Sequence, residues 1–335
     1  MADSLHTRFD VPYASVGNLR HTVDFFWGAK STMRSPLLVF VHGGFWCSEN
    51  KEMFHGLASN LCRVVEDGGR SVTVALVEYR ISVPSASDVK FPDHVRDVFS
   101  ALMFLAENKS DLPYDRNALV VAGHSVGAWM TLAMLVKENK DIRSDGPRIS
   151  VLSAATRRAI RCAVLVDGIY DIAAVLEEYP SYQRYVNNAI PRASDYKGLS
   201  CRAWLWADDD AWPDIYVLHS PQDEYLSFNQ SLILAHQLAE IRGVRHGKPI
   251  PCTEGDAIPT LPPDAPSDAG TAYWYAGNKE GRTIASVYDG YFPPTPDGVH
   301  INVTRLEGSH NDELHTEVFE KELAEILRKV VNGNQ

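Results

Sequence analysis

Three residues far apart in the chain carry the side chains that acyl transfer needs: Ser125, Asp223 and His310. A serine hydroxyl keeps its proton at neutral pH, so it attacks a carbonyl only when a neighbouring base removes that proton. An imidazole does this best when a carboxylate fixes its tautomer and stabilises the imidazolium. Ser125 sits in Gly123-His124-Ser125-Val126-Gly127, between a branched apolar run at 119–122 and a helix-forming stretch at 128–136 with apolar residues on a recurring face. A strand that reverses into a helix so quickly leaves no room for flanking side chains, which explains glycine at both ends. The hydroxyl would then stand at a helix head, where backbone N–H groups favour negative charge. Alone, the pentapeptide also fits an ordinary turn with a capping serine.

The other two positions share a placement. Asp223 follows an apolar run at 215–218, and a carboxylate just past a strand end lies on the same rim of a sheet as Ser125; the adjacent Glu224 is an alternative. His310 follows a Gly308-Ser309 turn after an alternating run at 299–306, which frees its ring to project over that rim. Upstream, the run at 36–41 ends in His42, Gly43, Gly44, Phe45 and Trp46. Adjacent glycines after a buried strand let consecutive N–H groups point at one spot, as an oxyanion requires. Gly44, Phe45 and Val126 are the candidate donors. His310 and His315 with nearby acids also raise a metal site, but the two-His helical spacing of zinc hydrolases is missing. The reading therefore has neither metal nor organic cofactor.

The elements that must position these groups alternate along the chain. Strands are expected at 21–27, 36–41, 72–77, 119–122, 162–166, 215–218 and 299–306, with helices at about 53–65, 94–107, 128–136, 231–241 and 315–331. Short apolar runs alternating with amphipathic helices make a mostly parallel sheet covered on both faces. Serine after one strand, acid after a later one and histidine after the last is the chain order of the α/β-hydrolase fold. Residues 1–335 read as a single such domain with two excursions. Around 172–214 the rhythm breaks, as for a small helical cap, where aromatic residues such as Tyr182, Tyr185, Trp204 and Trp206 pack or meet ligand. Around 243–297, nine of the chain's nineteen prolines exclude regular helix or central strand over most of the segment. Within it, 272–275 and 283–288 could pair as a hairpin, and a lid and a surface excursion fit equally.

Composition bounds the partners. A formal net charge of -11 argues against nucleic acid and anionic membranes, and disfavours an anionic substrate unless a local basic group receives it. Arg80, at a strand end, is one candidate for that role; bracing loops is its commoner use. Five scattered cysteines, no apolar leader and no membrane-length stretch point to reduced thiols in the cytoplasm. The glycosylation-type triplets at Asn108, Asn229 and Asn302 then read as chance.

On these residues the chain resembles the kynurenine formamidases over the whole sheet, most sharply at His42-Gly43-Gly44-Phe45-Trp46. Enzymes of the hormone-sensitive lipase type carry a third glycine where Phe45 stands. The Gly168-Ile169-Tyr170-Asp171 stretch also looks like family sequence. The resemblance implies a small-molecule hydrolase that splits N-formyl-L-kynurenine into L-kynurenine and formate, with Gly44 and Phe45 in the oxyanion hole. It also implies that His42 and Trp46 brace that loop against each other, and a homodimer. Bulky Phe45 and Trp46 suit a small acyl group such as formyl. The proline-rich segment departs from the compact family pattern and bears on substrate preference. Two alternatives stay open: a small-ester carboxylesterase with the same triad, and a non-catalytic binding module on this fold.

Overall fold

The computed structural model describes residues 5–14, 18–83, 88–107, 111–139, 152–192, 196–206, 213–241, 249–251, 270–271, 286–288, 291–292, 299–302 and 306–332. Eight strands form the main sheet: β1 (His6–Pro12), β2 (Thr22–Trp27), β3 (Leu37–Val41), β4 (Thr73–Val77), β5 (Leu119–His124), β6 (Ile160–Val166), β7 (Asp214–Leu218) and β8 (Val299–Asn302). Their spatial order is β1-β2-β4-β3-β5-β6-β7-β8. β1 and β2 run antiparallel to their neighbours and the other six are mutually parallel. Strand β1 has no counterpart in the sequence reading. Its side chains are nearly all exposed and its register slips between Arg8 and Val11, so no buried alternation marks it.

The central strands are apolar over most of their length because both faces are covered, β3 at every position. Leu37, Val39 and Val41 of β3 turn towards helices α2 (Asp93–Glu107) and α3 (Val126–Leu135), joining Val95, Val98 and Leu132 in one buried cluster. The alternate residues Leu38 and Phe40 face α1 (His55–Asp67) and α8 (Glu317–Asn332), with Leu57, Leu61, Phe319 and Leu323. Each such large side chain removed from water contributes about 2 kcal/mol.

Helix α3 differs from its expected amphipathic pattern: all ten of its residues are buried. A helix beneath a second layer has no wet face to mark. That layer includes Leu199, whose carbonyl accepts the Trp129 indole N–H at 2.9 Å, and Trp204, 5.8 Å from the same ring. The helix stops at Leu135. Residues Val136–Asn139 pair as a short strand with Trp204–Trp206.

The six-residue helix α4 (Ala154–Ala159) leads into β6, and two short helices, α5 (Ile172–Glu178) and α6 (Gln183–Ala189), lie between β6 and β7. Asp171 caps α5 by accepting the Ala174 N–H at 3.1 Å. Helix α7 (Asn229–Ile241) follows β7. In the proline-rich segment, Ser286–Tyr288 pairs with Pro249–Pro251 and Gly270–Thr271 with Tyr291–Phe292. The hairpin expected for 283–288 therefore finds a different partner strand, and 272–275 lies outside the described residues. No described helix is long and apolar enough to cross a membrane.

Candidate active site

The parallel strands end on one rim, and the candidate residues follow those ends. Ser125 opens directly from β5, with β3 and its glycine loop on one side and β6 on the other. At Ser125 the backbone takes φ 56° and ψ −121°, a sparsely populated region that costs a non-glycine residue about 1–3 kcal/mol. Close packing holds it there. A Cβ on Gly123 would fall 2.3 Å from the Gly127 carbonyl oxygen, and one on Gly127 would fall 2.1 Å from the Val41 oxygen of β3. Both glycines are thus required by contact. The Ser125 N–H donates to the Val166 carbonyl at 2.9 Å, and its side chain makes no capping bond to α3. The capping-serine alternative fails on that point.

The glycine loop lies against this turn. A Cβ on Gly43 would approach the Ser125 Cβ to 2.9 Å, and Gly44, Phe45 and Trp46 all have positive φ, at 85°, 51° and 60°. The loop is held by Tyr79, whose hydroxyl lies 2.6 Å from the Gly43 carbonyl and 3.0 Å from that of His42. Glu49 accepts the Gly43 N–H at 3.1 Å. Here one expectation is corrected. His42 stacks on Tyr79 with ring centres 4.2 Å apart, whereas the buried Trp46 meets Trp129 edge-on at 5.7 Å. The two motif residues each brace the loop against the core and not against each other. Tyr79 arrives from the end of β4, the next strand in the chain, which pairs with β3 in parallel.

On the far side, His310 Nδ1 donates to Asp223 Oδ2 at 2.7 Å. Burial pushes the Asp223 carboxyl up, but the His310 hydrogen bond and charge, His219 and the Leu226 N–H outweigh it and hold the acid below its usual range. Burial pushes His310 down, and Asp223 more than reverses this, so the imidazole is a stronger base than usual. The other Asp223 oxygen accepts the Tyr225 and Leu226 N–H groups at 2.8 and 2.9 Å. Glu224 turns elsewhere and accepts the His310 backbone N–H at 3.0 Å. Between adjacent acids, the structure puts Asp223 on the ring.

His124 connects the two halves. Its Nε2 donates to the His310 carbonyl at 2.8 Å, and the two rings are 4.5 Å apart. Burial and the neighbouring His310 keep His124 neutral. The residue before the serine therefore carries the histidine loop. Among the described residues the Ser125 hydroxyl makes no hydrogen bond to His310, so the site is assembled with that last contact unmade.

Two more buried acids stand behind the histidine. Asp167, at the end of β6 with φ 42°, accepts the Ser220 N–H at 2.8 Å through Oδ1 and brings Oδ2 to 3.9 Å from His310 Nδ1. Among the described residues no amide, amine or hydroxyl donor reaches that Oδ2 or either oxygen of the fully buried Glu313. The two carboxyls act on each other, and with no donor to those oxygens their proximity favours the protonated form. Burial and mutual repulsion push Asp167 well up, and burial pushes Glu313 up to about 8. Asp167 satisfies the rule that selected Asp223, a carboxylate past a strand end, and that signal was available. Glu313 gives none.

Arg80 is a brace: it grips Asp97 with Nε and Nη2, both at 2.8 Å. His315 is exposed on a turn. Two trios, His124-Asp167-His310 and Asp167-His219-Asp223, bring ligand-type atoms within 4.8 Å of one another. Both are drawn from the surroundings of the acid-base pair, so a cation there would compete with the His310–Asp223 bond.

Comparison with known proteins places the chain in a family and a fold. The family model described as BD-FAE matches residues 23–238. A kynurenine formamidase of Eremothecium gossypii is 32% identical over 207 residues, covering 60% of this chain and 80% of that one. One from Scheffersomyces stipitis is 28% identical, covering 63% and 80%. Among solved structures, a carbohydrate esterase from gut microbiota superposes with a TM-score of 0.64 at 14% identity, covering 98% of this chain and 97% of the other, a likeness of fold. An α/β sheet with a serine turn, a double-glycine loop and an Asp–His pair on one rim, in a chain that matches these sequences, belongs to the BD-FAE family of α/β-hydrolases and, within it, to the kynurenine formamidases.

Proposed function

We propose that this enzyme hydrolyses the formamide of N-formyl-L-kynurenine through a formyl-enzyme on Ser125. The observation that carries the reading is the Asp223–His310 bond at 2.7 Å, tied through His124 to a strained serine turn in a chain of this family. Substrate binding brings the Ser125 hydroxyl onto His310 Nε2; catalytic hydrogen bonds often tighten only in the Michaelis complex. His310 takes the hydroxyl proton as oxygen attacks the formyl carbon, and Asp223 stabilises the imidazolium. Backbone N–H groups of Gly44, Phe45 and Val126 receive the oxyanion, each worth on the order of 3 kcal/mol. The C–N bond then breaks as His310 returns the proton to the aryl amine, whose lone pair is delocalised into its ring. Water, deprotonated by His310, attacks the formyl ester and formate departs. The thiols of Cys47, Cys62 and Cys162, none of them in a disulfide, support a reducing compartment, the cytosol.

Purified protein with N-formyl-L-kynurenine should release kynurenine, followed by absorbance. A kcat/KM for p-nitrophenyl acetate that exceeds the formamide value by orders of magnitude would replace this reading with that of a small-ester esterase.

A further inference from the structure

One group of rings is left unused by the steps above. Phe45, in the glycine loop, lies 5.0 Å edge-on from Tyr182 and 5.5 Å from Tyr185, both brought by the segment that carries α6. The Tyr182 hydroxyl donates to the Tyr225 carbonyl at 2.9 Å. Tyr225 in turn sets its ring 5.4 Å from His310, nearly perpendicular to it, and is 44% exposed. An arch of aromatic residues, joined between Tyr182 and Tyr225 by that hydrogen bond, thus runs from the oxyanion loop to the general base. The leaving group must sit under its Tyr225 end, because His310 is the residue that hands it a proton.

A cation lies on the same arch. The Arg184 guanidinium stands 4.5 Å from the Tyr185 ring centre and donates to the Tyr185 hydroxyl at 2.7 Å. Among the described residues Arg184 has no acidic partner, although the protein carries a net charge of -11. Tyr185 keeps the guanidinium against the rings while leaving its other N–H groups available to an anion.

We propose that Tyr225, Tyr182 and Phe45 form a subsite for a flat aryl leaving group, and that Arg184 takes an anionic group, such as a carboxylate, carried on that group's tail. This deepens the proposed function and rests on Ser125 and His310 as its reacting centre. Aromatic faces recognise a planar ring by offset or edge contacts, so the arch selects among leaving groups, whereas the backbone N–H groups of the oxyanion loop are indifferent to them. An acidic protein repels an anionic substrate everywhere except where a cation is left uncompensated.

The test uses two variants on the full chain, each read as a ratio between paired substrates so that a general loss of activity cancels. Tyr225→Ala should lower kcat/KM for phenyl acetate about ten-fold more than for ethyl acetate, since only the first has a ring to lose contact with. Arg184→Gln should raise KM for N-formyl-L-kynurenine about ten-fold more than for 2-formamidoacetophenone, which keeps the ring and ketone without the charged tail. Equal effects on both members of a pair overturn the corresponding half of the proposal. If the wild-type protein hydrolyses neither formamide, the proposed function fails, and the ester pair still decides the arch.

Discussion

Replacing Glu313 by glutamine should change how stability depends on pH. Glu313 is fully buried, meets no amide, amine or hydroxyl donor among the described residues and lies under the influence of the neighbouring acids Asp167 and Asp223. Burial pushes it from 4.5 up to about 8. In the unfolded chain the carboxyl loses its proton near 4.5 while the native protein keeps it, so between those values the unfolded state binds fewer protons and stability falls as pH rises. The contribution is whole below about pH 4.5 and is gone once pH passes about 8. At about 1.4 kcal/mol per pH unit, this window amounts to a few kcal/mol, on the order of 5 if the shift is fully expressed. Glutamine has nearly the same shape and cannot ionise.

The measurement is urea unfolding of both proteins, followed by tryptophan fluorescence from pH 5 to 8.5. Other titrating groups contribute to each curve separately. Asp223, held low, supports the fold above its ordinary pKa and loses that support in acid; His310, held high, supports it in acid and loses that support as pH rises. Both remain in the variant, so the difference between the curves isolates the Asp167–Glu313 pair. Glu313→Gln should gain on the wild type steadily as pH rises, by several kcal/mol in total. Parallel curves would refute a Glu313 that keeps its proton in the native state, and with it the account of two buried acids behind His310.

Ser125→Ala should keep its melting temperature and lose about six orders of magnitude in kcat, the scale seen when a triad nucleophile is removed; retained turnover in a quenched kynurenine assay would remove Ser125 from the mechanism. Asp223→Asn should fall by less than the about 10⁴-fold that an isolated orienting acid gives, because Asp167 Oδ2 lies 3.9 Å from the same ring nitrogen. The Asp167→Asn/Asp223→Asn double variant should then drop further, and equal rates for the single and double variants would show that Asp167 gives no help. Arg80→Gln should lower stability by roughly 1–3 kcal/mol, discounted because Arg80 is partly exposed, by leaving Asp97 without its bidentate partner. Its KM should not change, and a large rise would return Arg80 to the role of substrate carboxylate partner.

What could be read from the sequence follows from how local each constraint is. Gly123 packs on the Gly127 backbone four residues on, so its reason for being glycine lies within one turn; Gly127 packs on the Val41 and His42 carbonyls of the neighbouring strand, yet the close spacing of the two made the serine between them visible. The same holds for strands β3 to β7, whose continuous apolar runs state burial on both faces. Choosing Asp223 over Glu224 needed more, since the decision rests on which side chain the Tyr225 and Leu226 N–H groups turn towards the ring. Tyr79 and the glycine loop meet only because β4 lies beside β3, and the family resemblance pointed to Trp46 as the partner of His42. Asp167 and Glu313 are separated by nearly half the chain. Nothing near Glu313 distinguishes it from the solvated acids that flank it on its turn, and only the closing of the sheet makes it a buried acid that must find a proton. Function was legible where chemistry imposes local steric rules, while the charge balance behind the histidine depends on contacts that exist only once the fold has formed.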